Sequence, residues 1–196
     1  MPARHILIIA AHPSHANDGG LGATMARTYA QSAAQAGHQT RMLQLDQLVF
    51  DPILHEGYKR AQALEPDLAK AQADFLWADE LVFVFPLWWG GMPALLKGFL
   101  DRVLLPGFAF RYDPQGQGLT PLLKGKTARL IITMDTPGWI ERWLYGRPVI
   151  RQFRYPILRF CGIKLGEVRY FSSVIKSSTA QRQAWIQNVH HLALRQ

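Results

Sequence analysis

Two hydrophobic periods share this chain, and their alternation predicts its elements. Residues 5–11 (HILIIAA) and 81–85 (LVFVF) are unbroken apolar runs, the pattern of strands buried on both faces. Residues 127–134 and 166–173 predict two more core strands. Residues 39–45 alternate, with Thr40, Met42 and Gln44 set against Arg41, Leu43 and Leu45, which predicts a strand nearer an edge. Between the runs the period lengthens. Leu21, Met25, Thr28 and Tyr29 predict a helix over 21–36, closed by Gly37. A short helix follows over 68–77. Pro93 suits a helical first turn, and Leu95, Leu96, Phe99, Leu100, Val103 and Leu104 then form a wide buried stripe. Residues 149–160 read as partly helical, and Ser178 or Thr179 caps a closing helix over 179–194.

The joints are marked by breakers. Residues 46–67 form an irregular connection punctuated by Asp51-Pro52, Gly57 and Glu65-Pro66. Residues 105–126 are loop-rich, with Phe108, Phe110 and Tyr112 alternating as a short strand or hairpin arm. Five strands alternating with helices call for an α/β domain, a parallel sheet with helices on both faces. There are no repeats and no linker, so the 196 residues are read as one domain.

Composition changes this picture little. The chain is 48% hydrophobic and 18% charged, an ordinary globular balance. Its apolar runs are too short to span a bilayer or form a signal peptide. Cys161 stands alone, which leaves no internal disulfide and suits a cytosolic, cytoplasmic address. Charge is more informative. Residues 1–101 carry 7 Lys/Arg against 10 Asp/Glu and residues 102–196 carry 15 against 4, for a net charge of +8. No nucleic-acid-binding signature accompanies the basic half, so no nucleic-acid partner is expected. Attraction of an anionic dinucleotide is the functional reading of that charge, against solvated faces as the plain one.

Chemistry is expected at the strand ends. Residues 81–103 (LVFVFPLWWGGMPALLKGFLDRV) read as strand, loop and helix, and open α/β sheets bind ligands at such ends. Pro86, Leu87, Trp88, Trp89 and Gly90 form that loop; alone, its tryptophans could as well be core aromatics. His12, Ser14 and Asn17 follow the first strand and lead to a helix N-terminus, which suits phosphate, or else serve only as caps. Thr133, Met134, Asp135 and Thr136 end the fourth core strand. No GxGxxG, Walker A, hydrolase or metal-spacing motif is present, so no metal is expected.

Pro86, Leu87, Trp89, Pro93, Leu96, Lys97, Asp101, Arg102 and Val103 fit a longer pattern, Pro-[Leu/Met]-x-Trp, then Pro-x-x-Leu-Lys, then Asp/Glu-[Arg/Lys]-Val. In these residues, and over most of its length, the chain resembles the NAD(P)H:quinone oxidoreductases of the flavodoxin-like superfamily. The resemblance implies a doubly wound flavodoxin-like sheet of order 2-1-3-4-5. It implies a flavin, with the phosphate lined by His12, Ser14 and Asn17 and the ring beside 86–91, where backbone N–H groups of Leu87, Trp88 and Trp89 could bond it. NAD(P)H would be the donor and a quinone-like molecule the acceptor, sharing one site in ping-pong order. The connection over 46–67, with Phe50-Asp51-Pro52, resembles the FAD-binding relatives, so FAD is expected ahead of FMN. A homodimer is expected, through the aromatic segments 105–112 and 139–155. Family members follow the fourth strand with Thr-Thr-Gly-Gly, a Tyr and a His. Here Met134 and Asp135 stand between Thr133 and Thr136, Asp135 is expected to cap a turn, and no His matches. Tyr145 is the candidate proton-handling phenol, at longer spacing, against a purely packed tyrosine. The rival readings are an ancillary regulatory subunit of a glutathione-gated potassium efflux system and a one-electron carrier.

Overall fold

The computed structural model describes residues 2–13, 20–60, 62–113 and 118–195. The expected strands form one parallel five-stranded sheet of order β2-β1-β3-β6-β7. These are β1 (His5–Ala10), β2 (Gln39–Gln44), β3 (Glu80–Pro86), β6 (Thr127–Thr133) and β7 (Lys164–Phe171). A two-stranded antiparallel hairpin, β4 (Phe110–Tyr112) with β5 (Leu119–Pro121), takes the numbers between. Counted without that hairpin, the order is the expected 2-1-3-4-5.

The apolar runs explain the layers. In β1, Ile6 and Ile8 pack on one face with Met25 and Tyr29 of α1 (Gly20–Gln35) and Val189 of α5 (Thr179–Leu194). Leu7 and Ile9 turn to the opposite face, toward Phe75 of α2 (Pro66–Trp77) and Phe99 of α3 (Ala94–Val103). β3 does the same, with Val82 and Val84 on the first face and Leu81, Phe83 and Phe85 on the second. A strand that feeds two cores has no polar side to show, so every residue of β3 is buried.

Two details escaped the sequence pattern. Arg102, on the buried stripe of α3, is fully enclosed; it donates to the carbonyls of Asp51 and Ala63 and pairs with Glu65 at 2.8 Å. It thereby pins the irregular 46–67 connection, whose burial costs are offset by these charge-assisted bonds. Residues 140–144 and 148–159 are helical, the second as partly expected, but much of the winding is π-type, over Ile140–Leu144 and Phe153–Arg159, with α4 (Pro148–Gln152) before the latter. Pro156 inside the second segment removes one N–H donor, and the looser winding accommodates it. At its end Cys161 is free and 2% exposed, and burial pushes its thiol up to about 11.

Candidate active site at the C-terminal ends of the strands

The loop after β3 is the tightest piece of the site. Trp88 N–H donates to Gly91 O at 3.0 Å and Gly91 N–H returns to Trp88 O at 2.8 Å, closing a four-residue turn. Its central residues both have positive φ, 51° at Trp89 and 71° at Gly90, which makes it a type I′ turn. Glycine suits that conformation; an indole-bearing residue is strained there. The turn holds Trp89 wholly in solvent, at 105% relative exposure, and Trp88 half out at 46%. The core reading of these two tryptophans is therefore incorrect. The turn also corrects the expected donors. Leu87 N–H is spent on Thr133 O at 2.7 Å and Trp88 N–H on Gly91 O, so of the three only Trp89 N–H is free among the described residues. Leu87 itself is buried, and Pro86 ends β3 in register with Thr133.

Neighbouring loops gather around this turn. His12, after β1, meets the Trp88 ring edge-on with centroids 6.1 Å apart. Its buried Nδ1 has no hydrogen-bond partner among the described residues, an orphaned polar atom beside the expected phosphate loop. Ser14 and Asn17 lie outside the described residues. Across the turn, a Cβ on Gly90 would meet Pro148 Cγ at 3.5 Å, which brings the start of α4 to the same place.

The loop after β6 is stitched to the end of β7. Met134 N–H donates to Phe171 O and Val174 N–H to Met134 O, while both Thr133 and Met134 are buried. Asp135 Oδ1 accepts the N–H of Ile175 at 2.7 Å, the turn-capping role expected of it. Thr136 is half-buried beside it. Tyr145 closes the first π-helical segment with its N–H on Ile140 O, and its side chain is 54% exposed. It is not packed away.

Sequence reasoning missed a buried pair here. Glu141 is 1% exposed, and neither carboxylate oxygen completes a hydrogen bond among the described residues. The Tyr170 hydroxyl beside it is likewise incomplete. Burial pushes Glu141 up, opposed by Tyr170 and Arg147. Burial and then the Glu141 charge push the Tyr170 phenol far above its ordinary range. The signal was thin: one carboxylate set in the aromatic run WIERWLY.

Strain collects at the same end. Trp89, Arg147 (φ 55°) and Ser173 (φ 59°) are the non-glycine residues with positive φ among those described, and all three lie in loops beyond strand C-termini. Such outliers persist where surrounding structure over-determines them, and they cluster at functional sites.

Comparison with known proteins agrees with the fold. A family described as having a flavodoxin-like fold, Flavodoxin_2, matches residues 4–192. The chain belongs to this family, which includes NAD(P)H:quinone oxidoreductases. An uncharacterized NAD(P)H oxidoreductase of Haemophilus influenzae is 31% identical over 185 residues, covering 92% of this chain and 90% of that one. The ribosyldihydronicotinamide dehydrogenase [quinone] of Mus musculus is 41% identical over 119 residues, which are 57% of this chain and 48% of the mouse protein. Among solved structures, Smu.1420 from Streptococcus mutans superposes with a TM-score of 0.77 at 30% identity, over 98% of this chain and 100% of that one. Family and fold thus stand as the sequence implied.

Proposed function

We propose that the protein is a flavin-dependent oxidoreductase that takes hydride from NAD(P)H and delivers two electrons to a quinone-like acceptor in ping-pong order. The observation that carries this reading is the strained, solvent-facing turn 88–91, set between the orphaned His12 Nδ1 and the loop after β6. A fold that holds a tryptophan at positive φ in full solvent is holding it for a ligand. The residues fit a flavin: His12 would face its phosphate end, Trp89 N–H would offer a free donor to its ring, and Gly90 would let the backbone approach. A bound flavin would supply the hydride and electron chemistry. The chain orients it, keeps one face open and offers donors where negative charge develops.

FMN is the form named among the relatives. A Listeria innocua FMN-dependent NADH:quinone oxidoreductase is 42% identical over 92 residues, which are 45% of this chain and 41% of that one. The FAD expectation draws no support from the relatives' names. Titration with FMN and with FAD tests the reading, because each should be quenched with micromolar or tighter affinity, about −8 kcal/mol. Flavin fluorescence unchanged by the protein would sink it.

Tyr145 is the phenol we assign to proton handling, since it is exposed and on the loop that follows β6. Tyr145→Phe should bind flavin normally and lose about tenfold in turnover, roughly 1.4 kcal/mol of barrier. Unchanged turnover with saturating quinone would remove it from the site. Exposed Tyr112, Trp139, Trp143 and Leu144 are the surfaces we assign to a homodimer. Light scattering near 22.2 kDa at micromolar concentration would count against it. No described helix is long and apolar enough to cross a membrane.

A further inference from the structure

Beside the site, along the open edge of the sheet, runs a basic trough that the proposed chemistry leaves unused. One cavity of about 490 Å³ lies between α4 with its π-helical continuation and β7, lined by Arg147, Arg151 and Arg154 with Val168 as its floor. A second, of about 550 Å³, shares Arg154 and Tyr155 and continues to Arg159 and Lys164. Together they follow β7 from Val168, level with Leu130, to Lys164, level with Thr127. At about 3.3 Å per residue that is a run of roughly 13 Å along the strand.

The charge lining it is uncompensated. Among the described residues, none of Arg147, Arg151, Arg154, Arg159 and Lys164 forms an ion pair. The carboxylate nearest on the edge strand, Glu167, is already held by Arg169. The other acid near the upper end, Glu141, is buried behind Arg147. Arg151 and Arg154 follow Arg147 at helical spacing, so one winding presents a row of guanidiniums. Val149 and Phe153 of the same winding are buried in the core. Arg147 is itself held at φ 55° directly before Pro148, a conformation a residue preceding proline avoids. Its N–H is fixed to Glu141 O at 3.0 Å. The fold thus spends strain on placing the residue where the trough meets the site loops.

We propose that this trough receives the phosphate-bearing half of the nicotinamide donor, and that Arg151 and Arg154 favour the form carrying a 2′-phosphate, NADPH over NADH. The inference rests on the flavin oxidoreductase reading above for where the nicotinamide lies. Guanidinium forks match phosphate oxygens bidentately, and a row of them rewards each further phosphate. The trough is concave and long, which suits an extended ligand better than a flat lipid surface. The surfaces assigned above to a homodimer, Tyr112, Trp139, Trp143 and Leu144, line neither cavity.

The test uses adenosine 2′,5′-bisphosphate, which carries the distinguishing phosphate and no redox group, with AMP as control. Calorimetry on the purified protein should show the bisphosphate binding at least about tenfold more tightly than AMP. The Arg151→Gln/Arg154→Gln pair should erase that margin. In steady-state assays the same pair should raise KM for NADPH by about tenfold or more, with KM for NADH and flavin affinity near their starting values. No bisphosphate binding, or binding unchanged in the variant, overturns the assignment. So does an outcome in which only phosphatidylserine vesicles bind and the variant abolishes that. Bisphosphate recognition intact in a protein that oxidises neither NADPH nor NADH would uphold the trough and overturn the flavin reading instead.

Discussion

The two ends of the β-sheet are built on opposite terms. At the N-terminal end, buried charge meets opposite charge. Glu80, 1% exposed, is ion-paired on both sides, with Arg129 Nε at 2.6 Å and Arg4 Nη1 at 3.0 Å, although neither of its oxygens completes a hydrogen bond among the described residues. Arg4 also donates to Thr127, and Lys126 Nζ closes the end of α2 by donating to the carbonyls of Leu76 and Ala78. At the C-terminal end, Glu141 is buried with no ion pair among the described residues, His12 and Tyr170 hold buried polar atoms with incomplete partners, and three non-glycine residues sit at positive φ. One sheet, with the same alternating strands beneath, carries both. The difference teaches where this fold can tolerate cost: stability is secured at one end, so that the other can be held in a shape stability alone would not choose.

The contrast can be broken at four places. Arg129→Ala removes one of two guanidiniums from a buried carboxylate and should cost about 3 kcal/mol in urea unfolding. A loss under about 1 kcal/mol would show the closed end to be less dependent on pairing than its geometry implies.

Glu141→Gln should act in the opposite sense. Burial raises the folded pKa of Glu141 above its unfolded value. Its contribution is therefore present below the ordinary carboxylate range and lost as pH rises through the raised value. The substitution should raise stability by about 1–2 kcal/mol at pH 7.5 and by much less near pH 4. A benefit that is equal at both pH values would mean that charge is not the cause.

Trp89→Asn replaces a strained residue with one that tolerates positive φ in a type I′ turn, and should stabilise the fold by about 1 kcal/mol. Flavin affinity should fall as stability rises. A variant that loses both would return the turn to a structural role. Ser173→Gly is the smallest test, because strain relief is partly offset by glycine's chain entropy. A gain of a few tenths of a kcal/mol is expected by thermal unfolding.

Legibility in the sequence followed the same division. β1 and β3 announced themselves because a strand buried on both faces leaves no polar residue to confuse the period. The stripe of α3 did so through Leu96, Phe99 and Val103. Asp135 was read as a turn cap because a carboxylate beside an anionic flavin would be unfavourable, and its Oδ1 does accept the N–H of Ile175. The rest was set by contacts the local pattern does not carry. A Trp-Gly pair does not signal a type I′ turn as Asn-Gly does, so the exposure of Trp89 was hidden. π-helical winding over 153–159 has no short-range signature beyond Pro156. Arg102 reads as an exposed cation until the partners from 51 to 65, distant in sequence, close over it.

Cys161 carries a consequence of a different kind. Quinones are electrophiles that arylate thiolates, and an enzyme handling them risks modifying itself. Here the lone thiol is enclosed and pushed up to about 11, so at neutral pH only about one molecule in ten thousand presents a thiolate. Under the proposed chemistry, the catalyst is spared inactivation by its own acceptor. Turnover should persist through prolonged exposure to quinone that would silence a protein with an accessible cysteine.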